Sequence, residues 1–183
     1  LTGSHIYVED EYIRAAVGGT GFAKVGGNYA GGMRATKKAL ENGCKEVLWL
    51  DAHEHKYVEE VGTSNAFFMI GDEVITAPLG GSILPGVTRD STITLLRKWG
   101  YKVSERRLSI QEIEAASKDG SLQEAWATGT ACVISPIGYL KYMGRDIVIH
   151  DGGVGPVSQK LYDQIYGMQT GVAADDMDWI VQL

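Results

Sequence analysis

The chain has 183 residues, enough for one large domain or two small ones, with 44% hydrophobic and 22% charged residues. That balance is ordinary for a globular protein able to bury a good core. A net charge of −6 and the lack of a long basic run argue against nucleic acid and anionic membrane as partners, and no apolar run is long enough to cross a bilayer.

The N-terminal stretch is assigned no element, carries no signal-peptide pattern, and includes a Gly3-Ser4-His5 that suits either native sequence or a cloning scar. Asn28 can cap a helix over 28–42, closed by Gly43. The run Val47-Leu48-Trp49-Leu50 reads as a buried strand, followed by a polar loop over 51–55. Residues 66–70 and 74–76 flank Gly71-Asp72 and predict a hairpin. A Pro- and Gly-rich loop over 78–86 leads to Thr88, which can cap a helix with Ile93, Leu95, Leu96 and Trp99 on its sticky face. An edge-type strand is expected over 102–108. Ser109 to Glu112 has the spacing of a capping box opening another helix. Two more strands are expected over 131–137 and 146–150, and Pro156 suits the first turn of a last helix ending near Gly167. No repeat or linker is visible, so a single mixed α/β domain is expected.

Chemistry concentrates in a few runs. Lys24 is a lone lysine in Gly18-Gly19-Thr20-Gly21-Phe22-Ala23-Lys24-Val25-Gly26-Gly27-Asn28-Tyr29. Most lysines are solvated, but apolar and glycine neighbours predict a sheltered amine, a better nucleophile and base. Glu60, in Glu59-Glu60-Val61-Gly62-Thr63-Ser64-Asn65, is either part of a charged loop or a carboxylate at a cleft edge. Gly86-Val87-Thr88 opens a helix, where unpaired N–H groups and the dipole can hold a phosphate; from this segment alone, plain N-capping is the better reading. Thr128-Gly129-Thr130 is a second turn of that kind. Arg89 could assist a phosphate or simply form an ion pair. One amine, one carboxylate and two threonine turns suit pyridoxal phosphate (PLP): a Schiff base, a partner for the pyridine nitrogen, and a phosphate grip.

Other readings are weaker. His53 and His55 alternate, but no Cys/His cluster joins them into a metal site, and none is expected. The acidic run Asp175-Asp176-Met177-Asp178 reads as a solvated loop. No GxSxG elbow supports a hydrolase. Cys44 and Cys132 form no CxxC pair and read as free thiols of a reducing cytosol.

Taken together in order, Gly19-Thr20-Gly21 through Lys24, Gly26-Gly27-Asn28-Tyr29, Val47-Leu48-Trp49-Leu50, Glu60-Val61-Gly62-Thr63, Leu84-Pro85-Gly86-Val87-Thr88-Arg89, Gly129-Thr130-Ala131-Cys132, Gly155-Pro156 and Asp178-Trp179 resemble the branched-chain aminotransferases of the class IV (fold type IV) PLP-dependent group. The resemblance covers essentially the whole chain. It implies the D-amino acid aminotransferase-like fold: a barrel-like sheet with surrounding helices, here residues 1–183 as the PLP-binding C-terminal domain.

It also implies roles. Lys24 would form the Schiff base, Tyr29 would lie near the PLP phenolic oxygen, and Glu60 would pair with the pyridine nitrogen. Leu84 would pack on the ring. Val87, Thr88 and Thr130 would bind phosphate, while Thr63 and Ala131 would line the substrate side. The implied reaction is reversible amino transfer between leucine, isoleucine or valine and 2-oxoglutarate, in a cytoplasmic homodimer of branched-chain amino-acid biosynthesis. Family members are roughly twice as long. The N-terminal half, with a phosphate-binding arginine and much of the side-chain pocket, is expected to be the part this chain lacks. The alternatives are a D-amino acid aminotransferase or aminodeoxychorismate lyase of the same class, or a catalytically silent PLP-binding fragment.

Overall fold

The computed structural model describes residues 1–181. In chain order the elements are β1 (Ser4–Glu9), α1 (Gly26–Glu41), β2 (Glu46–Leu50), β3 (Val58–Val61), β4 (Ser64–Ile70), β5 (Glu73–Thr76), α2 (Val87–Lys98), β6 (Lys102–Glu105), α3 (Ile110–Asp119), β7 (Leu122–Gly129), β8 (Val133–Tyr142), β9 (Arg145–Val148) and α4 (Pro156–Thr170). Strands pair in the order β3-β2-β1-β8-β7-β4, and β4 pairs back onto β3, which closes a six-stranded barrel. β5 and β6 extend from β4, and β9 hangs on β8. β1 runs parallel to both β2 and β8, and the other ring pairings are antiparallel. The expected mixed fold with a barrel-like sheet is the one observed.

Strand alternation explains where the cores sit. Ala66 and Phe68 of β4, Leu48 and Leu50 of β2, and Ile6 and Val8 of β1 join one cluster with Ile110 and Ile113 of α3. The opposite side of β4, at Phe67, packs with Trp126, Ile93, Leu96 and Leu161, so α2 and α4 cover it. Val47 and Trp49 of β2 pack against Ala35 and Ala39 of α1. Both faces of β2 and β4 are therefore buried, which is why these strands read as unbroken apolar runs.

Several boundaries differ from expectation. Val25, not Asn28, is the N-cap of α1, and it makes no side-chain cap. The Asn28 amide instead donates to the Thr20 and Ala23 carbonyls, 2.9 Å each, and staples the glycine loop to the helix. Gly86, not Thr88, is the N-cap of α2. The strand expected over 102–108 ends at Glu105, and α4 runs on to Thr170, where Gly171 turns left-handed. Half of the expected capping box forms: Ser109 Oγ accepts from the Glu112 N–H at 3.1 Å, while the Glu112 carboxylate accepts from Arg106. β1, β3 and β7 had no counterpart in the sequence reading. Ser4 and His5 belong to β1, so Gly3-Ser4-His5 leads into the barrel itself.

Candidate active site

Glu60 anchors the site. It lies on β3 opposite Asn65 of β4, and Asn65 in turn lies opposite Thr128 of β7. Its carboxylate is buried. Oε1 accepts from the Leu84 N–H at 2.8 Å and from Asn65 Nδ2 at 3.2 Å. Asn65 Nδ2 also donates to the Leu84 carbonyl at 2.8 Å, so one amide locks the 82–86 loop against the barrel. Two residues further on, that loop becomes α2. Oε2 faces Arg14, whose Nε is 2.9 Å away, but it receives no directed hydrogen bond. Burial pushes the Glu60 carboxyl up to about 7, against the pull of Arg14 and the Leu84 N–H.

Arg14 is a tie between segments. Its Nη1 donates to the Ser82 carbonyl at 2.7 Å and its Nη2 to the Gly21 carbonyl at 3.2 Å. One guanidinium thus links the loop carrying Lys24, the loop carrying Leu84, and the Glu60 carboxylate. Neither Arg14 nor Asn65 was singled out from the sequence. A lone arginine in Ile13-Arg14-Ala15-Ala16 was the signal available for the first.

The α2 N-terminus carries no side-chain cap, leaving its first-turn N–H groups and the half-buried Thr88 hydroxyl uncommitted to a cap. Val87 is 82% exposed there. Arg89 points elsewhere: its Nη2 donates to the Ala77 carbonyl and to Glu105, both at 2.9 Å. It is a buried ion-pair residue of the scaffold.

The β3–β4 turn carries Thr63 and the β7–β8 turn carries Thr130 and Ala131; all three are exposed. The turns adjoin, with Cys132 Sγ 3.8 Å from Ser64 Oγ. Thr63 lines a cavity of about 280 Å3 together with Tyr29 and Arg14. It also lines a second, of about 190 Å3, with Ser64 and Cys132. Glu60, Leu84, Thr88, Thr63, Thr130 and Ala131 therefore gather at one end of the barrel, with Tyr29 at its edge.

Lys24 departs from expectation. It is exposed, and Phe22 beside it is 56% exposed, so the shelter expected from apolar neighbours is absent. Its loop is held through Asn28 and Arg14 rather than by burial. The two cysteines are free, and among the described residues no group of His, Cys, Asp or Glu could hold a metal ion. No described helix is long and apolar enough to cross a membrane.

The site is thus a buried carboxylate beside an uncapped helix start on a closed barrel. The chain belongs to the amino-transferase class IV family, whose model matches residues 20–139. It is 52% identical over 178 residues to branched-chain-amino-acid transaminase 1 of Bacillus subtilis (strain 168), covering 97% of this chain and 50% of that protein. It is 43% identical to the branched-chain-amino-acid aminotransferase of Mycobacterium tuberculosis, over 97% of this chain and 50% of that one. Among solved structures, the branched-chain amino acid aminotransferase from Escherichia coli superposes with a TM-score of 0.82 at 29% identity, over 98% of this chain and 57% of that one. The T.th. branched-chain amino acid aminotransferase complexed with N-(5'-phosphopyridoxyl)-L-glutamate gives 0.82 at 28% identity, over 98% and 56%. The chain spans about half the length of the curated relatives it matches.

Proposed function

We propose that this chain is the cofactor-holding part of a PLP-dependent branched-chain aminotransferase. The reaction is amino transfer between leucine, isoleucine or valine and 2-oxoglutarate, in a cytoplasmic homodimer completed by an N-terminal domain. The observation that carries the reading is Glu60: a buried carboxylate with one oxygen free of directed hydrogen bonds, wired through Asn65 and Leu84 to the open N-terminus of α2. An acceptor and an open helix start joined by one short loop suit a ligand with an N–H at one end and a phosphate at the other. Identity to named branched-chain transaminases, and the phosphopyridoxyl compound in a structural relative, support it.

When bound, PLP supplies the electron sink that lets an amino acid lose its Cα proton. The residues of this chain hold and orient it. Glu60 accepts the ring N–H and, by remaining ionised beside it, keeps that nitrogen cationic. Its elevated proton affinity is the expense of burial, and a second cation next to Oε2 lowers it. Thr88, with the free N–H groups near Val87, receives phosphate oxygens, and Thr130 supplies a second hydroxyl. Leu84 packs on the ring, and Tyr29 donates to its phenolic oxygen. Lys24 would hold the cofactor covalently, and once substrate displaces it, its freed amine would move the proton between substrate Cα and the cofactor. Exposure leaves that amine free to swing, which such a shuttle needs. Thr63 and the backbone near Ala131 face the substrate.

The test is chemical. Borohydride treatment of the full-length protein with PLP should fix the cofactor to the peptide carrying Lys24, and Lys24→Ala should abolish the label. Fixation at Lys56 or another lysine by peptide mass spectrometry overturns the assignment. A coupled glutamate assay with leucine and 2-oxoglutarate tests the substrates, and activity confined to D-amino acids would redirect the reading within the family.

A further inference from the structure

A cavity of about 640 Å3 does not include Glu60 among its walls. It lies within the roughly 300–1,000 Å3 span of small-molecule pockets. Its walls are mostly apolar, with Ala16, Val17, Ala52, Val58, Pro78 and Ile83 among them. Two buried acids break that lining: Asp51, which accepts from the backbone N–H groups of His53, Glu54, Lys56 and Tyr57, and Glu59, which is left partly unpaired. Glu59 is only 9% exposed, and its Oε1 takes the Ser82 hydroxyl at 2.5 Å, while Oε2 is buried with no partner. A buried acceptor left unpaired is costly, so a complementary donor is missing.

The nearby cations are committed elsewhere. Arg14 pairs with Glu60. Arg107, at the cavity wall, pairs with Asp51 and Glu54 and stacks on Tyr57 at 3.5 Å. Among the described residues none forms a salt bridge with Glu59.

We propose that this cavity binds a small aliphatic ammonium compound, with an N–H on the Glu59 carboxylate that lines it and its alkyl body on the apolar walls. A charged donor answers an unpaired carboxylate better than a neutral one, and branched alkyl groups fill walls built of Ala, Val, Pro and Ile. The site stands whether or not Glu60 holds a cofactor.

The experiment is calorimetric titration of the full-length, cofactor-free protein with isopentylamine, which then has no aldehyde to react with. Isopentanol serves as the same body without the charge, and tetramethylammonium as the charge without an N–H. Isopentylamine should bind at least about tenfold more tightly than either control. Glu59→Gln should weaken it by a similar factor, and Ala52→Leu should block it by filling the cavity while leaving Glu59 intact. Should Glu59→Gln fail to fold, Ala52→Leu decides. Absence of binding, equal binding of the alcohol, or binding indifferent to Ala52→Leu would overturn the proposal.

Discussion

At the scale of single residues, Glu60 is where stability and chemistry oppose each other. Its carboxyl is pushed from 4.5 to about 7 in the folded chain, so the folded state holds a proton that the unfolded state has released across that window. The stabilisation is full below pH 4.5 and is lost as pH rises through about 7. The magnitude is on the order of 3 kcal/mol. Urea unfolding of cofactor-free protein should therefore show the stability gap between wild type and Glu60→Gln moving in the variant's favour as pH rises from 4.5 to above 7. A gap flat with pH would mean Glu60 is not the titrating group. In the full-length enzyme the same substitution should leave PLP bound but cut turnover by orders of magnitude, because a neutral ring nitrogen is a poor electron sink. Thr88→Val should weaken PLP by about 1.5–3 kcal/mol and leave pyridoxal binding unchanged, the difference being the phosphate. Equal weakening of both would point to general damage at α2. Lys24 stood out in sequence as an odd residue in its surroundings, and Glu60 as one of two acids just ahead of a polar turn and an apolar strand. Arg14 and Asn65 did not, because their importance lies in partners far along the chain: Glu60 for Arg14, and Leu84 for Asn65.

Among the elements, helix ends decide the most. α3 announces itself locally, since its cap and its N3 glutamate are three residues apart. α4 is capped from a distance: Glu124 of β7 accepts from the Val157 N–H at 2.8 Å and the Ser158 N–H at 2.9 Å, and its Oε2 also takes Ser158 Oγ at 3.0 Å. A strand carboxylate thus replaces the missing side-chain cap at Gly155 and meets the positive end of the helix dipole. Glu124→Gln should cost about 1–3 kcal/mol, since an amide NH2 faces N–H donors in a buried site. Thermal unfolding measures it. Turnover per folded molecule should not change, because five residue steps along the strand, roughly 16 Å, separate Glu124 from Gly129. A large loss of turnover at unchanged stability would show that the two ends of β7 are coupled.

For the molecule as a whole, the barrel closes and its faces are covered, so the 183-residue chain should fold. One surface is unfinished. Val17, Phe22, Met33 and Leu40 are 77%, 56%, 71% and 61% exposed, around the loop that carries Lys24 and on the helix after it. Apolar exposure of that kind marks a docking surface. The chain alone should therefore self-associate, bind PLP weakly and show no leucine-to-2-oxoglutarate transfer, since catalysis depends on positioning that an open site cannot supply. Turnover comparable to the full-length protein in a coupled glutamate assay would sink this division of labour.

The sequence by itself determined the elements whose signals are local. Runs such as Val47–Leu50, the Gly71-Asp72 hairpin, the Ser109 box and Pro156 each obey rules that operate within a few residues. It also carried the family, through motifs spread in order along the chain. Only the tertiary structure decided the rest. β3 hid in Val58-Glu59-Glu60-Val61, whose two acids read as a charged loop or a cleft edge and not as a strand; strand pairing on both sides and the 82–84 loop bury them. β1 and β7 became barrel staves through partners far along the chain, and no local pattern encodes such pairing. The tertiary structure likewise left Lys24 exposed despite its apolar neighbours, since burial depends on what packs over a segment and not on what adjoins it in sequence.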